Sequence, residues 1–398
     1  MTRHLLIKLG IGTAFAVFLA LWATSSRSPV DGATRAGEPL VGGLSAALND
    51  VVKVRIVEAG NKTAVTLDRV SDGWTVAERG GYAADIPKVR ETLIKLAEAK
   101  LNEGKTANPE RHALVGVEDV AKAEAKGMRV ELEGKINAKV VVGNFSTQGS
   151  GTFVRRNDEA QAWLANGNLV LDRDASNWLA KDLLDIGSAR IMSVTLGREG
   201  ESFVVAKTSP EQENFALERI PPGREVLSEF EANGIASVLA GLRFDDVVKA
   251  ETVVAEPGSS ISARFATFDG LVVHVTGFTA GGRNFVSLNA EVDAGRADIA
   301  AKAAQLNAVA DYNADQKAEA ADSAASGDAA ATRSEPPEPA SPPQAVADPD
   351  TFVAAERKLV DEEAAKLNRR VSGWAYVLPA FKYANINKRL EDLLKPKG

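Results

Sequence analysis

Cysteine is absent from the 398 residues, histidine occurs three times, and aromatic residues make up only 6%. Each scarcity removes a class of function. Without thiols there is no disulfide framework, thiolate metal site, iron–sulfur cluster, cysteine nucleophile or lipid-modified terminal cysteine. His4, His112 and His274 are far apart, and no pair has the spacing of a zinc site. Few aromatics argue against a sugar-stacking platform, which takes several rings on one exposed face. Basic charge is also short: 47 Lys and Arg stand against 54 Asp and Glu, a net charge of −7 with no basic stripe. Nucleic acid is therefore not an expected partner. What is present is 45% hydrophobic residues, many of them alanine, in a chain long enough for two or three domains.

The first long apolar run is amino-terminal. Leu5 to Ala23 is interrupted only by Lys8, with Arg3 before it and Ser25, Ser26 and Arg27 after it. From Leu9 alone the run reaches roughly 22 Å as a helix, short of a ~30 Å hydrocarbon core. Starting at Leu5, with Lys8 snorkelling to the headgroups and Trp22 at the far interface, it spans. The expectation is an uncleaved signal anchor over residues 1–27. A cleaved secretory signal near Ala23 and Ser25 is the alternative. Either way the early positive charges stay inside, which puts the bulk of the chain outside the cytoplasm. Residues 1–30 carry Arg3, Lys8 and Arg27 and no acid, so the exported part is more acidic than the whole.

Residues 28–50 read as a spacer. From Val51 the pattern becomes that of strands: Val51-Val-Lys-Val-Arg-Ile-Val, Ala64-Val-Thr-Leu-Asp-Arg-Val and Gly73-Trp-Thr-Val. Asp85 is placed to cap a helix whose Ile86, Val89, Leu93, Leu96 and Leu101 share one face. Strands at Met128–Leu132, Ala138–Gly143 and Gly151–Arg156 complete a unit. The plan then returns. Val194-Thr-Leu, Phe203-Val-Val and Phe215-Ala-Leu repeat the strands, and Ala232, Ile235, Leu239 and Leu242 repeat the helix at a displacement of 146. Val273-His-Val-Thr-Gly277 follows Lys139-Val-Val-Val-Gly143, and Phe285-Val-Ser-Leu-Asn289 follows Phe153-Val-Arg-Arg-Asn157. Six echoes in one order predict an α+β fold of two related modules, antiparallel strands with one packed helix each, over 51–190 and 191–312. Residues 313–350 turn to Ala, Asp, Glu, Ser and Pro and read as a disordered insertion. A helix–strand–helix at 351–398 returns to the fold, because Trp374, Tyr376, Phe381 and Tyr383 would not sit on a free tail.

No constellation points to catalysis. The three histidines read as solvated or packed imidazoles. Asp245-Asp246 reads as a loop or cap, since adjacent strand residues point to opposite faces. Gly143–Gly151 is glycine-rich but lacks the Gly-Lys-Ser/Thr ending of a phosphate loop and joins two strands, so it reads as a long hairpin loop. Ser146 fails the nucleophile-elbow pattern. Glu58, Glu131 and Glu133 fall where alternation makes them solvent-facing. Trp74 and Trp374 read as core residues. No catalytic, cofactor-binding or metal residues are assigned, and no cofactor is expected.

Several short features together resemble a membrane-anchored bacterial family, domain of unknown function 4340. They are Val54-Arg-Ile-Val, Gly73-Trp74-Thr-Val, Tyr82-Ala-Ala-Asp85, Asn108-Pro109, Gly116-Val117, Val142-Gly143 and Gly151-Thr-Phe-Val-Arg155. The closing Gly373-Trp374-Ala-Tyr376-Val-Leu-Pro379 and a terminal Leu-Glu-Asp-Leu-Leu block fit as well. The Pro/Ala-rich insertion departs from the pattern. The resemblance implies a single-pass inner-membrane protein with a large outer domain that accompanies an ABC-type transport system similar to gliding-motility components. It brings no catalytic residues. The expected function is a non-enzymatic envelope accessory or scaffold, with an ABC permease or companion envelope protein as partner. A ligand- or glycan-binding module using a cleft between the modules is the alternative, and a periplasmic hydrolase is the third possibility.

Overall fold

The computed structural model describes residues 35–325 and 342–396. The expected anchor at 1–27 and the middle of the expected insertion, 326–341, lie outside the described residues. Among the described residues no helix is long and apolar enough to cross a membrane. The chain divides into two compact units, Met1–Ala180 and Lys181–Gly398.

The first unit is built on nine strands, one long helix and the single helical turn His112–Val115. In chain order these are β1 (Val51–Glu58), β2 (Lys62–Val70), β3 (Gly73–Val76), β4 (Tyr82–Ala83), α1 (Ile86–Glu98), β5 (Leu101–Thr106), β6 (Met128–Gly134), β7 (Ala138–Ser146), β8 (Gly151–Arg156) and β9 (Ala162–Asn166). All pairings are antiparallel, in the order β4-β3-β2-β1-β6-β7-β8-β9-β5. Alternation sets the core face: Val54 and Ile56 of β1 meet Leu67 and Val65 of β2 and Leu132 and Val130 of β6, all nearly inaccessible. Asp85 caps α1 by accepting the Lys88 N–H at 3.1 Å, Pro87 occupies the first turn, and Val89, Leu93 and Leu96 are buried.

The second unit opens with β10 (Asp182–Leu184) and continues through β11 (Ile191–Arg198), β12 (Glu201–Ala206) and β13 (Ala216–Leu217). After α2 (Glu229–Ala236) come β14 (Leu242–Arg243), β15 (Asp246–Lys249), β16 (Ile261–Thr267), β17 (Leu271–Ala280) and β18 (Arg283–Val292). Two long helices, α3 (Ala294–Ala325) and α4 (Pro349–Val371), precede β19 (Trp374–Val377) and α5 (Ala380–Ile386). The main sheet runs β13-β12-β11-β16-β17-β18-β19-β15, and β10 pairs with β14. This mixed helix and antiparallel-sheet architecture is α+β. The eight-strand order reproduces that of the first unit strand for strand, with β4 as the one strand lacking a counterpart.

The register of this correspondence differs from the sequence expectation. Asp85 and Ser228 are the two helix caps, so α1 and α2 align at a displacement of 143. A shift of three residues lands on the same helical face, which is why the apolar pattern alone gives 146. Likewise, Lys139 lies opposite Glu131 as His274 lies opposite Arg264, one residue from the expected Lys139–Val273 match. Strand β19 is the counterpart of β9: Trp163 opposes Val154 as Tyr376 opposes Val286, and both aromatics are fully buried.

The module boundaries also shift. Residues 35–50 are not a spacer. Leu40 donates its N–H to Ala99 at 2.7 Å, Gly37 does so to Leu101 at 2.7 Å, and Leu40 and Leu44 are buried. In the second unit, Ile186 bonds Leu239 at 3.0 Å, Phe244 bonds Lys181 at 3.3 Å, and Leu184 lies in the equivalent place. Each unit therefore begins with a segment laid beside the residues that follow its helix. The closing segments match too. Leu179 bridges Ala84 in the first unit, and Leu394 bridges Val226 in the second. The break falls at 180/181 rather than 190/191.

The insertion begins as helix, since α3 runs on to Ala325, beyond the expected start at 313. It enters between β18 and β19, at the place where the first unit joins β8 to β9 by the short turn 157–161. Strand β19 pairs only with Phe285 and Val286 of β18, which leaves the far end of that strand open. Helix α4 covers it: Asn368 accepts the Ala290 N–H and donates to the Ala290 carbonyl, each at 2.7 Å. At the base of the pair, Arg190 forks onto Glu363 at 2.6 and 2.8 Å and bonds Asp269 at 2.7 Å. Gly270, at φ +94, lets α3 approach, because a Cβ there would sit 2.6 Å from the Ala297 nitrogen.

Candidate functional site

The outer face of the first sheet is ionic. Lys53 and Asp68 pair across β1 and β2 at 3.2 Å, and Arg55, Glu131 and Lys139 form a rung across β1, β6 and β7. Glu131 was expected at the solvent face, yet it is only 3% exposed. Alternation does turn it outward, but Arg55 and Arg129 close over it, with Arg129 Nε 2.7 Å from Oε1 and Arg55 Nε 3.0 Å from Oε2. Burial alone would raise its pKa; the two guanidinium groups outweigh that and hold the carboxyl below the usual range. Glu58 pairs with Lys62 at 3.0 Å, and Glu133 stands 3.9 Å from Arg55.

A second set lies under the segment 107–127, which covers an apolar cluster of Val117, Val141 and Ala162 with Val115 and Phe153 against it. His112, Glu118 and Arg155 are all buried here. His112 Nε2 lies 2.8 Å from the Ala160 carbonyl and so carries the proton. Arg155 donates to the carbonyls of Val117, Asn157 and Glu159 at 2.9–3.1 Å. Glu118 accepts the Lys126 N–H at 2.9 Å through Oε1, while its Oε2 has no protein partner. Burial pushes the His112 pKa down against the bond to Ala160, and the Arg155 charge adds to it. Every one of these bonds is to backbone, so the set fastens the cover.

The remaining sequence candidates are dispersed. His4 lies outside the described residues, and His274 pairs with Glu291 at 2.9 Å on the second sheet. Asp246 opens β15 rather than a loop, and its carboxylate accepts from Arg283 at 2.8 Å. The glycine-rich stretch forms a tighter hairpin than expected, since β7 continues to Ser146 and β8 starts at Gly151. Trp74 is buried with Arg69 over its ring, and Trp374 carries the Lys249 ammonium 3.9 Å from its ring centre. Among the described residues no group of three or more His, Asp or Glu is placed to hold a metal ion.

Among the described residues the second unit carries a concave feature large enough to hold a ligand. A groove of about 640 Å³ lies between the β11–β12 hairpin and residues 386–391. Its floor is Leu196, Phe203, Ile261, Ile386 and Leu390. The hairpin tip is a two-residue turn, Glu199 at φ 51 and Gly200 at φ 87, which raises the Glu199 carboxylate at the rim. Sequence reading misses this groove because its walls come from segments nearly 190 residues apart and carry no motif.

Residues 74–258 match the family model described as Domain of unknown function (DUF4340), a stretch that begins in β3 and ends beyond β15. No curated protein and no solved structure matches the chain.

Proposed function

We propose that this chain is a non-enzymatic accessory or scaffold protein of the bacterial cell envelope. Its amino-terminal segment holds it in the inner membrane, its bulk lies in the periplasm, and it works with an ABC-type transport system. The observation that carries the reading is the use made of buried and half-buried polar groups in two copies of one fold. Arg155 in the first unit and Lys207 and Lys382 in the second are all turned to backbone carbonyls, and Glu131 to two arginines. Within each unit these groups fasten segments of the fold. The run Leu5–Ala23 and the match to the family of unknown function support the location and the accessory role. Crosslinking in intact membranes tests the reading, with recovery of a permease or companion envelope protein as the expected result. Recovery of the protein alone, under conditions that preserve known envelope complexes, would overturn it.

A further inference from the structure

Two asparagines in the chain precede glycine, and both sit in the same tripeptide, Ala165-Asn166-Gly167 and Ala232-Asn233-Gly234. In an unfolded chain this sequence is prone to cyclise, because glycine has no Cβ to keep its nitrogen from the preceding carboxamide. The fold places the two copies in different surroundings. Asn233 and Gly234 lie inside α2, where the helix commits the Gly234 N–H to a carbonyl one turn back. The Asn233 carboxamide is held at both ends: Oδ1 accepts the Phe215 N–H at 2.8 Å, and Nδ2 donates to Asn214 Oδ1 at 2.7 Å. Gly234 is covered as well, since a Cβ there would stand 3.3 Å from Asn385 Oδ1.

Asn166 is the exposed last residue of β9, and Gly167 follows it in the left-handed region at φ +80, with open space where a Cβ would be. Among the described residues, the Gly167 N–H and Asn166 Nδ2 have no hydrogen-bond partner. The carboxamide is held by the Lys100 N–H, which donates to Oδ1 at 2.5 Å. A donor at that oxygen draws electrons from Cγ and stabilises the negative charge that forms there during attack. We propose that Asn166 is a site of spontaneous, irreversible modification, in which the main-chain nitrogen of Gly167 closes on Asn166 Cγ. A bond forms between Gly167 N and Cγ, and the bond from Cγ to Nδ2 breaks. The proton of Gly167 N passes through solvent to the leaving nitrogen, which departs as ammonia, and a succinimide remains. Water then opens either carbonyl, leaving aspartate or isoaspartate at 166. Both products add a negative charge beside Lys100. Isoaspartate also lengthens the main chain between Ala165, which pairs with Thr152 and Leu101, and Gly167, whose carbonyl accepts from Thr152 Oγ1 at 2.8 Å.

The test incubates the full chain in detergent at mildly alkaline pH. Peptide mapping by mass spectrometry follows the mass gain at each asparagine, and electron-transfer fragmentation distinguishes isoaspartate from aspartate. The identical flanks make the unfolded chain its own reference, so in denaturant the two sites should react alike. In the folded chain Asn166 should react about tenfold faster than Asn233 or more, since α2 must open before Gly234 can attack. It should also react at least as fast as in denaturant, because the Lys100 donor is present only in the fold. The modified fraction should exchange its Lys100 amide faster than the parent. Equal rates at Asn166 and Asn233 in the folded chain, or an earlier mass gain at another asparagine, would overturn the inference. So would a folded-state rate at Asn166 below that in denaturant, since the Lys100 bond would then be restraining the carboxamide.

Discussion

If residues 35–50 belong to the first module, Leu40→Ala should destabilise that module and leave the second untouched. Leu40 is 1% exposed, its amide is bonded to Ala99, and it is among the largest fully buried side chains. Truncating such a leucine costs about 2–5 kcal/mol, the spread reflecting how far the cavity collapses. The segment is bonded at both ends to the chain after α1, so collapse is limited, and about 3 kcal/mol is expected. For a unit of this size that lowers the Tm by about 6–12 °C. Fluorescence separates the units, because Trp74, Trp163 and Trp178 lie in the first and Trp374 in the second. The early transition should shift and a later one stay in place, while Leu114→Ala, at 78% exposure, should change little. A Tm within 1 °C of the parent would restore the spacer reading and refute the packing argument.

Other expectations concern charge and the inserted helices. The folded state holds the His112 pKa below its ordinary 6.5, so the unfolded state binds more protons in that window. Stability of the 107–127 cover should fall as pH drops through 6.5 toward the folded value, seen as faster hydrogen exchange there, and His112→Gln should flatten the response. Glu131 has the carboxylate sense: its folded pKa is lowered, so its contribution is complete above 4.5 and is lost as pH falls below it. Because Arg55 is 39% exposed, Glu131→Gln should cost only about 1 kcal/mol by denaturant melts at pH 7. A Glu131→Gln variant with an unchanged acid limb would remove the ion-pair account. Asn368→Ala should cost about 2 kcal/mol, one for each lost bond, and speed amide exchange at Ala290. Unchanged exchange at Ala290 would mean that α4 does not guard the edge.

Strands with alternating burial, such as β1 and β6, were legible because period two writes the core face directly into the sequence. The Asp85 cap and the face of α1 were legible for the same reason at period 3.6. The helix register was not, since a three-residue slip preserves the face and only the caps break the degeneracy. Leu40 was hidden by composition: glycines and prolines around it imitate a linker, while the bonds that fix it come from Ala99 and Leu101. Glu131 was misread because alternation gives the direction of a side chain and says nothing of what lies above it. The groove was invisible because residue types common on any surface acquire meaning there only through long-range placement.

The insertion shows how strongly the repeated plan constrains the chain. Between β8 and its partner the first unit uses 157–161, whereas the second uses 293–373. Treated as free loops, the longer closure costs about 2–3 kcal/mol more, an upper bound because α3 and α4 shorten the effective span. Burial of Leu367 and Val371 on α4, at roughly 1.5–3 kcal/mol each, offsets that cost, and Arg190 and Asn368 fix where the helices sit. Strand β19 then finds its slot through the same features that β9 uses: a buried aromatic, Tyr376 or Trp163, beside a buried alanine, Ala375 or Ala162. The slot selects for that pair whatever the length of chain before it. An arm could therefore be added at this turn without disturbing the sheet, which makes the turn a tolerant place in the fold to acquire a new surface.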